Sequence, residues 1–149
     1  MPAPVPSLKA RALRLLSSRE HSREELRRKL EKFEEQPDSL TRTLDELQAK
    51  GFISEQRVIE SVVHRRAPKL GAARIKQELR DKGLSPHAIA EALTDLETSE
   101  HERALTVWRK KFSAPPADAM DAARQMRFLA ARGFSAELVR RIVKSPAST

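Results

Sequence analysis

Apolar residues recur along this chain at the three- and four-residue spacing of amphipathic α-helices. Nine segments show this spacing, and no stretch alternates apolar and polar residues as a half-buried strand does. The pattern therefore predicts an all-α fold with no sheet. The marker positions of the nine helices are Leu13 and Leu16; Leu26, Leu30 and Phe33; Leu40, Leu44 and Leu47; Val58, Ile59, Val62 and Val63; Ile75 and Leu79; Ile89, Leu93 and Leu96; Leu105, Trp108 and Phe112; Ala119, Ala123, Met126 and Ala130; Leu138, Ile142 and Val143.

Three of the four glycines share one sequence context, which predicts the end of a helix. Gly51, Gly83 and Gly133 each follow a Lys or Arg, with a Leu four residues before the glycine and Phe or Leu directly after it. In a Schellman motif, glycine adopts the left-handed conformation and the next apolar residue packs back onto the last turn. The basic residue lies at the negative end of the helix dipole.

Serines predict the helix starts, because a serine side chain satisfies free backbone N–H groups in the first turn. Ser54, Ser85 and Ser135 each follow one of the glycine turns. Two further serines stand in capping-box register, Ser22 with Glu25 and Ser99 with Glu102. Glu20-His21-Ser22 is therefore interpreted as a connector and a helix start, not as a catalytic cluster.

Nine short helices suggest three groups of three, and two of the glycine turns, at Gly83 and Gly133, stand 50 residues apart. Units of this kind stack along one axis, so we expect an elongated, curved tandem array. The expected division is a disordered N-terminus at 1–7, repeats at 8–50, 51–98 and 99–144, and a disordered tail at 145–149.

The charge of the chain points to a polyanionic partner. Its 149 residues carry a formal net charge of +8, and 34% of them are charged. Residues 64–82 contain seven Lys and Arg, whereas residues 84–102 contain five acids and no Lys or Arg. Such a balance favours nucleic acid, an acidic partner or an anionic membrane, although a merely solvated basic surface is the alternative.

Basic residues that cluster along the predicted helices are the candidates for contact with a polyanion. Lys76 and Arg80 lead them, because they share a helix face and have no acidic partner at helical spacing, whereas Arg74 and Lys82 can each pair with Glu78. The full candidate set is Arg65, Arg66, Lys69, Arg74, Lys76, Arg80, Lys82, Arg109, Lys110, Lys111, Arg132, Arg140, Arg141 and Lys144.

Residues that could support catalysis do not form a recognisable constellation, so we expect no enzyme, metal or cofactor. The chain has no Cys, its four His lack metal-ligand spacing, and its single glycines cannot form a phosphate-binding loop. No apolar run reaches the roughly 18 residues of a membrane span. The N-terminal segment mixes cations with apolar residues, which differs from a signal peptide. A cytoplasmic location is the expectation.

The order of elements, a helix followed by a glycine turn and a serine-capped helix, also matches a DNA-binding helix-turn-helix motif. In the clearest case, residues 71–97, the second helix carries three acids and no Lys or Arg. Phosphates lining a major groove would repel it. An autonomous, basic helical DNA-binding protein nevertheless remains the alternative function.

Four segments resemble the RecX family of bacterial regulators of RecA. The most specific is A-L-R-L-L-S-S-R-E-H-S-R-E-E-L-R-R-K-L at 12–30, followed in order by segments at 44–53, 65–85 and 127–135. The resemblance runs from about Leu8 to Lys144. One departure is Arg57-Val58-Ile59, where the family usually has Arg, an aromatic residue and Ala.

The resemblance implies a non-catalytic, all-helical, three-repeat regulator. Such a protein binds RecA and its filament on single-stranded DNA. It mainly inhibits the recombinase, ATPase and co-protease activities of RecA, in homologous recombination, DNA repair and the SOS response. ATP hydrolysis belongs to RecA, so no cofactor or small-molecule substrate is implied for this chain.

Overall fold

The computed structural model describes residues 4–145, and in this range it contains eight α-helices, one short 3-10 turn and no strand. The predicted all-α class is therefore confirmed. No helix in residues 4–145 is both long enough and apolar enough to cross a membrane. The helices are α1 Leu8–Ser18, α2 Arg23–Leu30, α3 Ser39–Ala49, α4 Glu55–Arg66, α5 Ala72–Asp81, α6 Pro86–Lys111, α7 Ala119–Ala131 and α8 Ala136–Lys144.

Three separate hydrophobic cores follow one another along the chain. The first joins α1, α2 and α3, the second joins α4, α5 and the first half of α6, and the third joins the second half of α6 to α7 and α8. Val58 and Ile59, at the departure from the family pattern, are both buried in the second core. The terminal segments expected to be disordered lie partly outside the described residues, at 1–3 and 146–149.

The predicted break between the sixth and seventh helices is wrong, because α6 continues for 26 residues from Pro86 to Lys111. Ser99 does not cap a new helix; its hydroxyl donates to the Leu96 carbonyl and accepts from Arg103 Nε. No Gly or Pro interrupts this stretch, so the backbone hydrogen bonding continues. The helix contributes to two cores, and the expected boundary at 98/99 falls inside it.

The second predicted helix also ends earlier than its apolar spacing indicated. The α-helix stops at Leu30, and Phe33 lies in the 3-10 turn Glu31–Phe33 with 36% of its surface exposed. The Arg11 guanidinium covers the ring at 3.7 Å from its centroid. Phe33 therefore contributes to the surface of the first repeat instead of its core.

The predicted apolar face of α7 is displaced from the true one. Ala119 and Ala130 are exposed, whereas Gln125 and Leu129 are buried. The apolar pattern did not indicate this face, because one of its buried residues is polar. Gln125 Oε1 accepts a 2.9 Å hydrogen bond from the Trp108 indole, and its amide nitrogen donates to the Ala114 carbonyl at 3.3 Å.

Replacing Gln125 by Leu should destabilise the protein by about 2 kcal/mol, because the buried Trp108 N–H would lose its acceptor. Urea denaturation at pH 7 measures this change. The control is Gln77→Leu, which removes an exposed amide that bonds Asp81, and it should cost less than about 0.5 kcal/mol. Equal stabilities of the two variants would contradict the structural role of Gln125.

The glycine turns and serine caps are confirmed. Gly51, Gly83 and Gly133 have φ values of 83°, 73° and 93°. After each glycine, a backbone N–H donates to the carbonyl five residues earlier, as in Phe52 to Leu47 at 2.9 Å. Ser22, Ser54, Ser85 and Ser135 each accept a hydrogen bond from a backbone N–H in the following first turn.

The second helices of the three repeats, α2, α5 and α7, meet end to end. At the first junction, the start of α2 meets the end of α5: the Ser22 hydroxyl donates to the Lys82 carbonyl at 2.6 Å and Arg28 donates to the Asp81 carbonyl at 2.7 Å. A positive helix start therefore faces a negative helix end, which is the favourable dipole arrangement.

The second junction repeats this geometry between the start of α5 and the end of α7. The Gly71 N–H donates to the Arg132 carbonyl at 2.8 Å, and the Ala73 N–H donates to the Gly133 carbonyl at 3.2 Å. From α6, the Glu100 carboxylate accepts from the Ala72 N–H at 3.0 Å. Glu100 thus supplies the side-chain cap that Gly71, at the N-cap position, lacks.

Glu25 ties the first capping box to the neighbouring repeat. Its carboxylate accepts from the Ser22 N–H and pairs with Arg19 at 2.7 Å and Lys82 at 3.2 Å. Burial by itself raises the pKa of Glu25. The hydrogen bonds from Arg19 and Ser22 and the charge of Lys82 outweigh burial and lower the pKa to about 2.

A depressed carboxyl pKa stabilises the folded state above the ordinary pKa of 4.5, and this contribution is lost as pH falls toward about 2. Glu25→Gln should therefore lower stability by about 2 kcal/mol at pH 7. The difference from the unaltered protein should shrink between pH 4.5 and about 2. Urea denaturation at pH 7 and pH 3 measures both stabilities, and a difference independent of pH would contradict this role.

Candidate polyanion-binding surface

Four of the candidate cations meet at the junction of the second and third repeats, in what we call the basic pocket. It is an open cavity of about 360 Å³. Lys69 comes from the connection between α4 and α5, Lys110 and Lys111 from the last turn of α6, and Arg132 from the C-cap of α7. The folding of two repeats against each other thus gathers cations that are 63 residues apart in sequence.

An aromatic side chain forms part of the same cavity. Phe128 contacts Phe112 edge to face, with the ring centroids 5.4 Å apart. The Arg132 guanidinium lies 4.7 Å from the Phe128 centroid, and Lys111 Nζ lies 5.5 Å from it. Pro68 and Val107 complete the lining. Cations beside an apolar ring are the combination that single-stranded nucleic-acid surfaces use for phosphates and bases.

The charge of the basic pocket is not neutralised within the described protein. Within residues 4–145, none of its four cations forms an ion pair, and no acid lines the cavity. Helix ends explain part of the placement, since Lys110, Lys111 and Arg132 stand where the α6 and α7 dipoles are negative. The cluster can still attract an external anion.

Lys76 and Arg80, the leading pair from the sequence, lie on α5 and likewise form no ion pair within residues 4–145. Arg80 is exposed and Lys76 is half-buried. Arg109, Arg140 and Lys144 are exposed on other helices. None of these five residues lines the basic pocket.

The other candidates have partners inside the protein. Arg65 and Arg66 reach Glu78 at 3.8 and 2.9 Å, and Arg141 pairs with Glu137 at 3.3 Å. Lys82 pairs with Glu25 and is largely buried, and it stands 4.0 Å from Glu78.

The expected pair between Arg74 and Glu78 does not form. The Arg74 guanidinium instead donates to the Ala131 carbonyl at 2.7 Å, at the negative end of α7. The Glu78 carboxylate bonds Arg66 of α4. Helical spacing on α5 allowed the pair, but the adjoining repeat offers Arg74 an acceptor that spacing along one helix cannot indicate.

Phe128 is the residue of this surface that sequence reasoning missed. Its signal was an aromatic residue four positions before Arg132, which places both side chains on one helix face. The glycine turn at Gly133 predicts only where this helix ends. Lys69, Lys110 and Lys111 stand far from Phe128 in sequence, so their approach depends on the tertiary structure.

Two of the histidines, His21 and His87, occupy a structural and an exposed position, respectively. His21 is buried, and burial lowers its pKa, so its ring is neutral. Its Nδ1 donates to the Arg19 carbonyl and its Nε2 accepts from Lys29 Nζ, both at 3.0 Å. His87 is exposed beside Glu91. Within residues 4–145, no three His, Cys, Asp or Glu residues are arranged to hold a metal ion.

The structure is a tandem array of three three-helix domains, and the basic pocket lies between the last two. The RecX models for the first, second and third three-helix domains match residues 9–47, 54–93 and 98–143, in that order. The chain belongs to the RecX family of regulatory proteins.

Similar proteins extend over nearly the whole chain. The regulatory protein RecX of Leptothrix cholodnii is 52% identical and covers 95% of this chain and 90% of its own length. That of Herbaspirillum seropedicae is 51% identical, with 94% and 91% coverage. The crystal structure of RecX from Lactobacillus salivarius has the same fold, with a TM-score of 0.79 at 21% identity and coverage of 95% and 96%.

Proposed function

We propose that this protein binds RecA and the RecA filament on single-stranded DNA. It modulates, mainly by inhibition, the recombinase, ATPase and co-protease activities of RecA in DNA repair and the SOS response. Membership of the RecX family of regulatory proteins supports this proposal. The structural observation that carries it is the basic pocket, in which four cations without an ion pair in residues 4–145 line one cavity together with an aromatic ring.

The proposed mechanism is regulation by binding in the cytoplasm, without chemistry on this chain. The basic pocket provides charge for DNA phosphates and an aromatic side chain for an unstacked base. A tandem array of helical repeats presents an extended surface, which can contact neighbouring subunits of a filament. A chain that bridges subunits would hinder filament growth and the rearrangements that accompany ATP hydrolysis by RecA.

Titration of RecA filaments with this protein tests the proposal. The rates of DNA-dependent ATP hydrolysis and strand exchange should fall as its concentration rises. Fluorescence anisotropy then compares its affinity for single-stranded DNA with and without RecA at several salt concentrations. Equal affinities and an unchanged ATPase rate would favour the alternative, an autonomous basic DNA-binding protein.

The Lys76 and Arg80 pair should contribute to this inhibition. In the variant Lys76→Glu with Arg80→Glu, two attractive charges become repulsive, so half-maximal inhibition of the RecA ATPase should need about tenfold more protein at low salt. The matched control is Arg42→Glu with Arg127→Glu, which changes two exposed cations outside the candidate set. Inhibition equal to that of the control would show that α5 does not contact the filament.

A further inference from the structure

A second cavity, between α4 and α6, has the opposite character to the basic pocket. It is an open groove of about 470 Å³, and we call it the acidic groove. Ile59, Val63, Ala67, Ala88, Ala92 and Leu96 form its apolar floor. Ala88 and Ala92 stand one helical turn apart on α6, so this part of the floor carries only small side chains. Side chains of another molecule can therefore approach both helices closely.

Carboxylates form the rim of this groove. Glu60 of α4 and Glu91 and Asp95 of α6 are all exposed, and no Lys or Arg lines the cavity. Glu60 accepts a hydrogen bond from Gln56 at 3.1 Å, and Glu91 lies 3.1 Å from the exposed His87. His64 also lines the groove.

The sign of this charge selects the kind of partner. The chain as a whole carries +8, yet this groove presents three carboxylates around an apolar floor. Phosphates of DNA would be repelled, because like charges face each other across a desolvated contact. A polypeptide with Lys or Arg beside an apolar side chain satisfies both features of the groove, as in helix-in-groove recognition.

We propose that the acidic groove binds a basic segment of RecA, in which Lys or Arg residues flank an apolar anchor. This inference rests on the proposed function. The two surfaces of this protein bind different parts of the filament: the basic pocket faces DNA, and the acidic groove faces RecA. The apolar anchor lies on Ile59, Ala92 and Leu96, and the flanking cations pair with Glu60, Glu91 and Asp95. Binding through two surfaces of opposite sign would favour the filament over either component alone.

Reversal of the rim charges tests this assignment in the full-length chain. Glu91→Lys with Asp95→Lys changes two exposed side chains of α6, so the fold should be retained. Its affinity for DNA-free RecA and for RecA filaments, measured by fluorescence anisotropy, should fall about tenfold. Its affinity for single-stranded DNA without RecA should stay equal or increase, because the net charge rises.

The matched control is Glu97→Lys with Glu102→Lys, which makes the same charge change on exposed positions of α6 outside the groove. It should keep its affinity for RecA within about twofold. A second variant, Ala92→Phe, fills the floor without altering charge and should also weaken RecA binding. Circular dichroism confirms that each variant is folded.

The outcomes separate this inference from the proposed function. If the unaltered chain does not bind RecA, both are overturned. If it binds, and the rim variant and Ala92→Phe bind RecA as tightly as the control does, only the acidic groove is overturned. A loss confined to the rim variant and to Ala92→Phe supports the groove as the contact with RecA.

Discussion

Gly71→Ala should destabilise this protein by about 3 kcal/mol, because the junction of the second and third repeats leaves no room for an added methyl group. A Cβ at position 71 would collide with the backbone of Gly133 and Phe134, far inside the 3.0 Å limit that real contacts keep. Backbone cannot rotate away as a flexible side chain can. The end of α7 would have to move, and the hydrogen bonds from Gly71 and Ala73 to that end would lengthen.

Urea denaturation measures the total loss, and amide hydrogen exchange locates it. Exchange in α7 and α8 should accelerate more than in α1 to α3, because the junction of the second and third repeats is the part that opens. Gly51→Ala is the control: its φ of 83° strains any L-residue, but a Cβ there meets nothing within 4 Å. It should cost about 1 kcal/mol. A loss for Gly71→Ala no larger than this would show that the junction is not tightly packed.

Reversing two charges of the basic pocket should have the largest effect on binding. Lys110→Glu with Lys111→Glu places two carboxylates beside Lys69 and Arg132, so the pocket loses its net positive charge. We expect at least about a 30-fold loss of affinity for RecA filaments at low salt, together with a smaller dependence of affinity on salt. Anisotropy titrations at several salt concentrations measure both quantities.

The comparison variant is Arg140→Glu with Lys144→Glu, which makes an equal charge change on α8, outside the basic pocket. It should lower affinity by less than about fivefold, since these exposed cations act only through the general field of the protein. Similar losses in both variants would mean that total charge, and not the pocket, determines binding. Both pairs of residues are exposed, so thermal unfolding should show similar stabilities.

Local features of the fold could be predicted because their physical causes lie within a few residues. Glycine at a left-handed position, serine at an N-cap and Pro86 at the first helical position each act on the adjacent backbone. Their positions therefore survive any change in how the repeats pack. The capping box predicted for Ser22 and Glu25 is likewise present in the structure, because the two residues lie only three positions apart.

Predictions were wrong where packing or a hydrogen-bond partner distant in sequence determined the local structure. Ser99 and Glu102 have the spacing of a capping box, but α6 passes through them because it packs in two cores. Gln125 obscured the buried face of α7, since its hydrogen-bond acceptor role depends on Trp108, 17 residues away. Arg74 met a carbonyl of the next repeat instead of Glu78.

By itself, the sequence determined the all-helical class, the glycine turns, the serine caps and the family, because these depend on short-range backbone chemistry and on an ordered set of motifs. Only the tertiary structure decided which charges remain available. Packing of the repeats directed Arg74 and Lys82 into junctions, gathered Lys69, Lys110, Lys111 and Arg132 around Phe128, and opened an acidic groove beside α6. A charge can bind a partner only where folding leaves it unpaired, and pairing between repeats acts across distances that sequence spacing does not encode.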